Sequence, residues 1–133
     1  MIKLKGIHHI AIICSDYQKS KQFYTEILGL SVINETYREK RNSYKLDLKI
    51  NDTEQIELFS FPDPPARIGY PEYPQEACGL RHLALEVDDI DSSVSHLQSQ
   101  GIEVENIRLD ELTKKRFTFF KDPDNLPIEL YES

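Results

Sequence analysis

The chain has 133 residues, a length that suits one domain with a sizeable core and not two independent ones. A net charge of −7 argues against a nucleic-acid or anionic-membrane surface, and no apolar run approaches the ~20 residues of a membrane helix. Hydrophobic content of 39% and charged content of 29% suit an ordinary globular chain.

The first predicted element is a strand over Gly6–Ile13. Its alternation puts residues 7, 9, 11 and 13 on one face and 8, 10, 12 and 14 on the other, and Ile10, Ile12 and Cys14 make the second face apolar enough to lie under a helix. Ser15 and Asp16 are N-cap candidates for that helix. Tyr17, Tyr24, Ile27 and Leu28 carry its apolar spacing, and Gly29 stops it. Three strands are predicted next: Leu30–Thr36, Ser43–Ile50 and, after the Asn51-Asp52 turn signal, Gln55–Phe59. The first half, about residues 4–61, therefore reads βαβββ.

Residues of about 62–78 change character, with Pro62, Pro64, Pro65, Pro71 and Pro74 excluding a helix or a central strand. This segment is expected to link two halves, and a long connection of this kind also suits a lid over a pocket. The second half, about 79–133, repeats the plan. A strand over Gly79–Val87 leads to Asp88 and Asp89 as caps, a helix carrying Ile90, Val94 and Leu97, and a stop at Gly101. Strands over Ile102–Leu109, Lys115–Phe120 and Leu126–Tyr131 follow, the last introduced by the turn Asp122-Pro123-Asp124-Asn125. His9 and His82 are 73 residues apart, as are Asp16 and Asp89, whereas Gly29 and Gly101, and Glu57 and Glu129, are 72 apart. The chain is an internal repeat with one residue fewer in its second helix.

Strand parity then selects four polar residues. Glu57 points away from the side shared by Ile56 and Leu58, and Glu129 away from that of Ile128 and Leu130; His9 and His82 likewise face away from their apolar neighbours. Each half offers one imidazole and one carboxylate on its helix-free face. A single strand histidine is more often a structural residue than a ligand, but the matched recurrence of all four points to a divalent-metal site. Mixed nitrogen and oxygen donors suit zinc or nickel first, with manganese, cobalt or iron as alternatives, and not calcium.

The paired βαβββ plan, the H-x6-D start of each half, Phe23-Tyr24-x3-Leu28-Gly29-Leu30 and Asp122-Pro123-Asp124-Asn125-x2-Ile128-Glu129-Leu130 resemble the vicinal oxygen chelate superfamily, over essentially the whole chain. The resemblance implies an α+β fold in which two tandem βαβββ modules form an open, eight-stranded cupped barrel with helices outside, making a single domain over residues 1–133. It implies metal in the cup and a homodimer, the latter also expected from module edges that would otherwise be unpaired. His9, Glu57, His82 and Glu129 match the ligand set of the glyoxalase I group. That match implies a lyase or isomerase acting on a small 2-oxo compound or its thiol adduct, by proton transfer through an enediolate held by the metal. By the same analogy Glu129 is the first choice of catalytic base and Glu57 the second. Fosfomycin-type thiol transferases and extradiol dioxygenases are similar in fold but use two histidines and one glutamate, so they would make Glu57 a bystander. A binding module that sequesters a small molecule is a third reading.

The chain departs from the glyoxalase I pattern at two glutathione contacts. Ile13 stands where an arginine is expected, and Ser60-Phe61-Pro62 where an asparagine is expected. Lys45 and Arg116 are placed by strand position to meet an anionic substrate, or else are solvated surface charges. His8 and His96 read as structural or surface residues, Glu86 as a rim residue, and Cys14 as a buried thiol. The two cysteines lack any paired spacing, which gives no disulfide framework. The start of the chain has no signal-peptide layout, so a reduced cytoplasm is the expected location.

Overall fold

A computed structural model describes residues 1–69 and 75–133, so Pro71 and Pro74 of the expected linker and lid lie outside the described residues. The chain divides into two compact units, Met1–Pro65 and Ala66–Ser133. Each contains one four-stranded mixed sheet and one main helix, so the α+β class and the repeated βαβββ order both hold.

In the first unit β1 (His9–Cys14) leads through α1 (Tyr17–Gln22) to β2 (Ser31–Arg38), β3 (Ser43–Lys49) and β4 (Gln55–Ser60). The sheet order is β1-β4-β3-β2, with β1 and β4 parallel and the other neighbours antiparallel. Pairing of Leu46 with Leu58 and Leu48 with Ile56 puts these four side chains on one face, where all are fully buried. Ile12, Cys14, Phe23 and Tyr24 are buried as well, the last two from the helical segment that covers this face. This burial is the main stabilising contribution of the unit. Asp16 caps α1 by accepting the Lys19 N–H at 3.1 Å.

The single-residue mismatch between the repeats has a structural explanation. Beyond α1 the chain widens into a π-helical turn over Phe23–Ile27, closed by the Leu28 N–H donating to the Phe23 carbonyl. A π-turn absorbs one additional residue without breaking the helix. The extra residue of the first half is carried here, which keeps Phe23 and Tyr24 facing the core and lets Gly29, at φ +81°, still end the segment.

The second unit runs β5 (Leu83–Val87), α2 (Ile90–Ser99), β6 (Arg108–Leu109), β7 (Arg116–Lys121) and β8 (Pro127–Glu132), in the sheet order β5-β8-β7-β6. Asp89 caps α2 through the Ser92 N–H at 3.0 Å, and Gly101, at φ +78°, follows its end. Ile90, Leu97, Phe120, Ile128 and Leu130 are buried on its apolar face.

One strand differs from the sequence expectation. Of Ile102–Leu109 only Arg108–Leu109 forms ladder pairs. The preceding residues still approach β7: the Glu105 N–H donates to the Phe119 carbonyl, but the Glu105 carbonyl accepts the Thr118 hydroxyl at 2.7 Å. A side chain thus occupies an acceptor that regular pairing would use, and the strand is cut short.

Candidate functional site

The four residues singled out by parity meet two by two, each pair inside its own unit. In the first, β1 and β4 run parallel with Ala11 opposite Glu57, and His9 Nε2 stands 3.1 Å from Glu57 Oε2. In the second, Ala84 lies opposite Glu129, and His82 Nε2 stands 2.9 Å from Glu129 Oε2. Alanine at both crossing points leaves space over the strand for the imidazole to lean onto the carboxylate. Both pairs lie on the face opposite the packed apolar residues, as strand parity requires. Glu57 is nonetheless buried, with His9 and Lys45 as its partners there.

Two ligand atoms ~2.1 Å from one ion and at a right angle to each other are about 3.0 Å apart. The nitrogen–oxygen separations of both pairs are those of a hydrogen bond and also suit that spacing, and the donors are of the type a small divalent ion takes. Among the described residues no group of three or more His, Cys, Asp or Glu side chains is disposed to hold one ion, and each unit brings together two of the four candidate residues.

The surroundings of the two pairs differ. Glu57 Oε1 also accepts Lys45 Nζ at 3.4 Å, and Lys45 is shared with Asp47 at 3.2 Å. These anions, Asp47 foremost, raise the Lys45 ammonium above its ordinary pKa and hold it charged. Glu129 has His82 Nε2 as its hydrogen-bond partner. The positions that correspond to Lys45 and Asp47 are Phe117 and Phe119 in the second unit, and Phe119 meets the His82 ring edge-on at 5.1 Å. One glutamate is therefore tied to an ammonium, while the other is bordered by aromatic rings.

The histidines are also held at their second nitrogens, by the residue just before each. His9 Nδ1 shares a hydrogen bond with His8 Nδ1 at 2.9 Å. Arg81 Nη1 donates to His82 Nδ1 at 3.2 Å, so His82 carries its proton on Nε2 and donates it to Glu129. Binding an ion at Nε2 requires that proton to leave and Arg81 to release Nδ1. Arg81 is exposed and held by Glu76 at 2.6 Å.

Several other sequence expectations can be placed. Lys45 lies on the face of Glu57, within reach of the pair. Arg116 does not: it shares the parity of buried Thr118 and Phe120 and is clamped by Asp91 at 2.9 Å and Glu132 at 2.8 Å on the α2 side. Its charge secures the helix. His8, His96 and Glu86 are exposed, Cys14 is buried, and Cys78 is exposed. Ile13, in place of the expected glutathione-binding arginine, is 56% exposed on the face of His9. Sequence reasoning missed Arg38 and Arg41, whose guanidinium groups lie over aromatic rings on this same face. Parity alone does not show them, because the register of β2 against β3 is needed to bring Arg38 opposite Ser43.

The chain is similar to known proteins over its whole length. It is 64% identical to the uncharacterized protein YwkD of Bacillus subtilis (strain 168), over 97% of this chain and 98% of that one. Among solved structures, that of SMU.1112c is 48% identical, covers 98% of this chain and 100% of its own, and superposes with a TM-score of 0.91. The lactoylglutathione lyase of Schizosaccharomyces pombe (strain 972 / ATCC 24843) is 29% identical over 93% of this chain, which spans 46% of that enzyme. Residues 6–130 match the model of the Glyoxalase/Bleomycin resistance protein/Dioxygenase superfamily, and the chain belongs to that family.

Proposed function

We propose that the chain is a metal-dependent lyase or isomerase of the glyoxalase I type, acting on a small 2-oxo compound or its thiol adduct. The observation that carries this reading is the repeated histidine–glutamate pair, with ligand atoms 3.1 and 2.9 Å apart, on the helix-free face of each sheet. The similarity to a lactoylglutathione lyase supports the reaction class. In this reading His9, Glu57, His82 and Glu129 hold one divalent ion, zinc or nickel before manganese, cobalt or iron. The two modules act as one domain and the protein is a homodimer. When bound, the ion supplies Lewis acidity to the substrate carbonyl.

The chain's own residues do the rest. Glu129, which has His82 beside it and no lysine counterpart of Lys45, takes a proton from the carbon next to the carbonyl and returns it to the neighbouring carbon. Phe119 stands opposite it in the β7–β8 ladder, where the first unit has Asp47 opposite Glu57. Glu57, engaged by Lys45, serves mainly to hold the ion. Ile13 disfavours glutathione as the thiol, since no arginine stands there to receive it.

That engagement of Glu57 also favours a second reading, in which it pairs with Lys45 alone and the chain is a thiol transferase or dioxygenase using two histidines and Glu129. Elemental analysis of the purified protein tests both. About one divalent ion per chain, lost in H82A/E129A and sharply reduced in E57A, is expected. Full occupancy in E57A would favour the second reading, and full occupancy in H82A/E129A would overturn the site itself.

A further inference from the structure

The helix-free face of the first sheet carries a second cluster, one strand row beyond Glu57. Phe59 and Phe61 extend from β4 with their rings stacked at 6.1 Å. The Arg38 guanidinium lies over both, 4.9 Å from the Phe59 centroid and 5.8 Å from that of Phe61, and Arg41 lies over Phe61 at 5.2 Å. Two cations thus share one aromatic ring in a chain whose net charge is −7. Among the described residues neither is ion-paired, and Glu39, between them in sequence, pairs with neither. Arg81, Arg108 and Arg116 by contrast each have a carboxylate.

The donors of Arg38 are largely unused. Nη2 donates to Ser43 Oγ at 2.9 Å, while Nε is buried with no hydrogen-bond partner. A guanidinium has five N–H donors arranged to meet an oxyanion with two parallel bonds. Rings beneath it fix its plane and exclude water from one side, and the adjacent charge of Arg41 adds to the attraction for an anion. Lys45 does not compete, since Asp47 and Glu57 neutralise it.

We propose that Arg38 and Arg41, seated on Phe59 and Phe61, bind an oxyanion of the substrate, either a carboxylate or a phosphate. Glu57 and Phe59 are two residues apart on β4, about 6.7 Å along the strand. An anion held over Phe59 therefore puts the reacting carbon of a three- to five-carbon compound near Glu57. This rests on the proposed metal site for its chemistry, but not for its binding. The substrate class becomes a small 2-oxo compound with a negatively charged end, and the positioning residues are the two arginines.

Calorimetric titration of the purified protein with pyruvate, and separately with inorganic phosphate, tests this directly. Saturable binding of at least one of them is expected, weakened about tenfold or more in Arg38→Gln and measurably in the exposed Arg41→Gln. The Lys40→Gln control, which removes the same charge from the same turn, is expected to bind as wild type. Whichever anion binds in an arginine-dependent way identifies the oxyanion. Binding that is absent for both, or that Lys40→Gln weakens as much as Arg38→Gln, would overturn the proposal. Thermal unfolding of each variant separates lost binding from lost folding, and Arg41→Gln decides if Arg38→Gln fails to fold. Metal content, measured on the same samples, separates failure of this subsite from failure of the metal site.

Discussion

A histidine on a strand acquires meaning from what its two nitrogens touch. His9 and His82 each have one nitrogen near a glutamate and the other engaged by the preceding residue, His8 or Arg81. A ligating imidazole keeps its proton on the nitrogen away from the ion, so the Arg81 contact at His82 Nδ1 is one that ion binding would have to displace. The two glutamates are equivalent by sequence repeat and unequal by environment. Lys45 occupies Glu57, and aromatic rings border Glu129. With any substrate turned over, Glu129→Gln is expected to lower kcat by about 10²–10⁴, the range for loss of a general base. Lys45→Met is expected to leave kcat within about tenfold, because it removes a partner of the holding residue and not of the base. Steady-state kinetics of the two variants checks this ordering. A larger loss in Lys45→Met than in Glu129→Gln would reverse the roles.

At the scale of elements, period-2 alternation made seven of the eight strands legible, together with the faces they present. The eighth failed because alternation in Ile102–Leu109 reports burial, whereas strand pairing needs free backbone groups. Thr118 takes the one at Glu105. The π-turn over Phe23–Ile27 was visible only as an offset falling from 73 to 72, since no residue type announces it. Both caps were legible because Asp16 and Asp89 act locally. Docking of α1 on β2 was not: it depends on Glu35, which accepts from the Tyr17 hydroxyl and from Lys21 Nζ at 2.7 Å. These contacts, Lys21 first, hold the Glu35 carboxyl below its ordinary range. A lowered folded-state pKa contributes stability above the unfolded value, about 4.3, and that contribution disappears as pH falls through the folded value. Glu35→Gln is expected to lower Tm at pH 7 and to show a weaker loss of Tm than wild type between neutral pH and about pH 3. Parallel pH dependences in the two proteins would remove Glu35 from the docking account.

For the whole molecule, the repeat explains why one chain has two histidine–glutamate pairs of the same kind. The proposed four-ligand set requires a first-module pair and a second-module pair, drawn from one chain or from two copies. Mixing H9A/E57A with H82A/E129A under conditions that exchange subunits tells these apart. Metal returns to the mixture when the pairs come from different copies, and stays absent when each chain supplies all four ligands. No helix among the described residues is long and apolar enough to cross a membrane. The most direct test of the central claim is the divalent-metal content of the wild type and of H9A, E57A, H82A and E129A, purified identically and measured by elemental analysis. About one ion per wild-type chain, with a marked loss in all four variants, is the expected result. A wild type that retains no ion after loading with zinc or nickel, or four variants that retain it fully, would contradict the account.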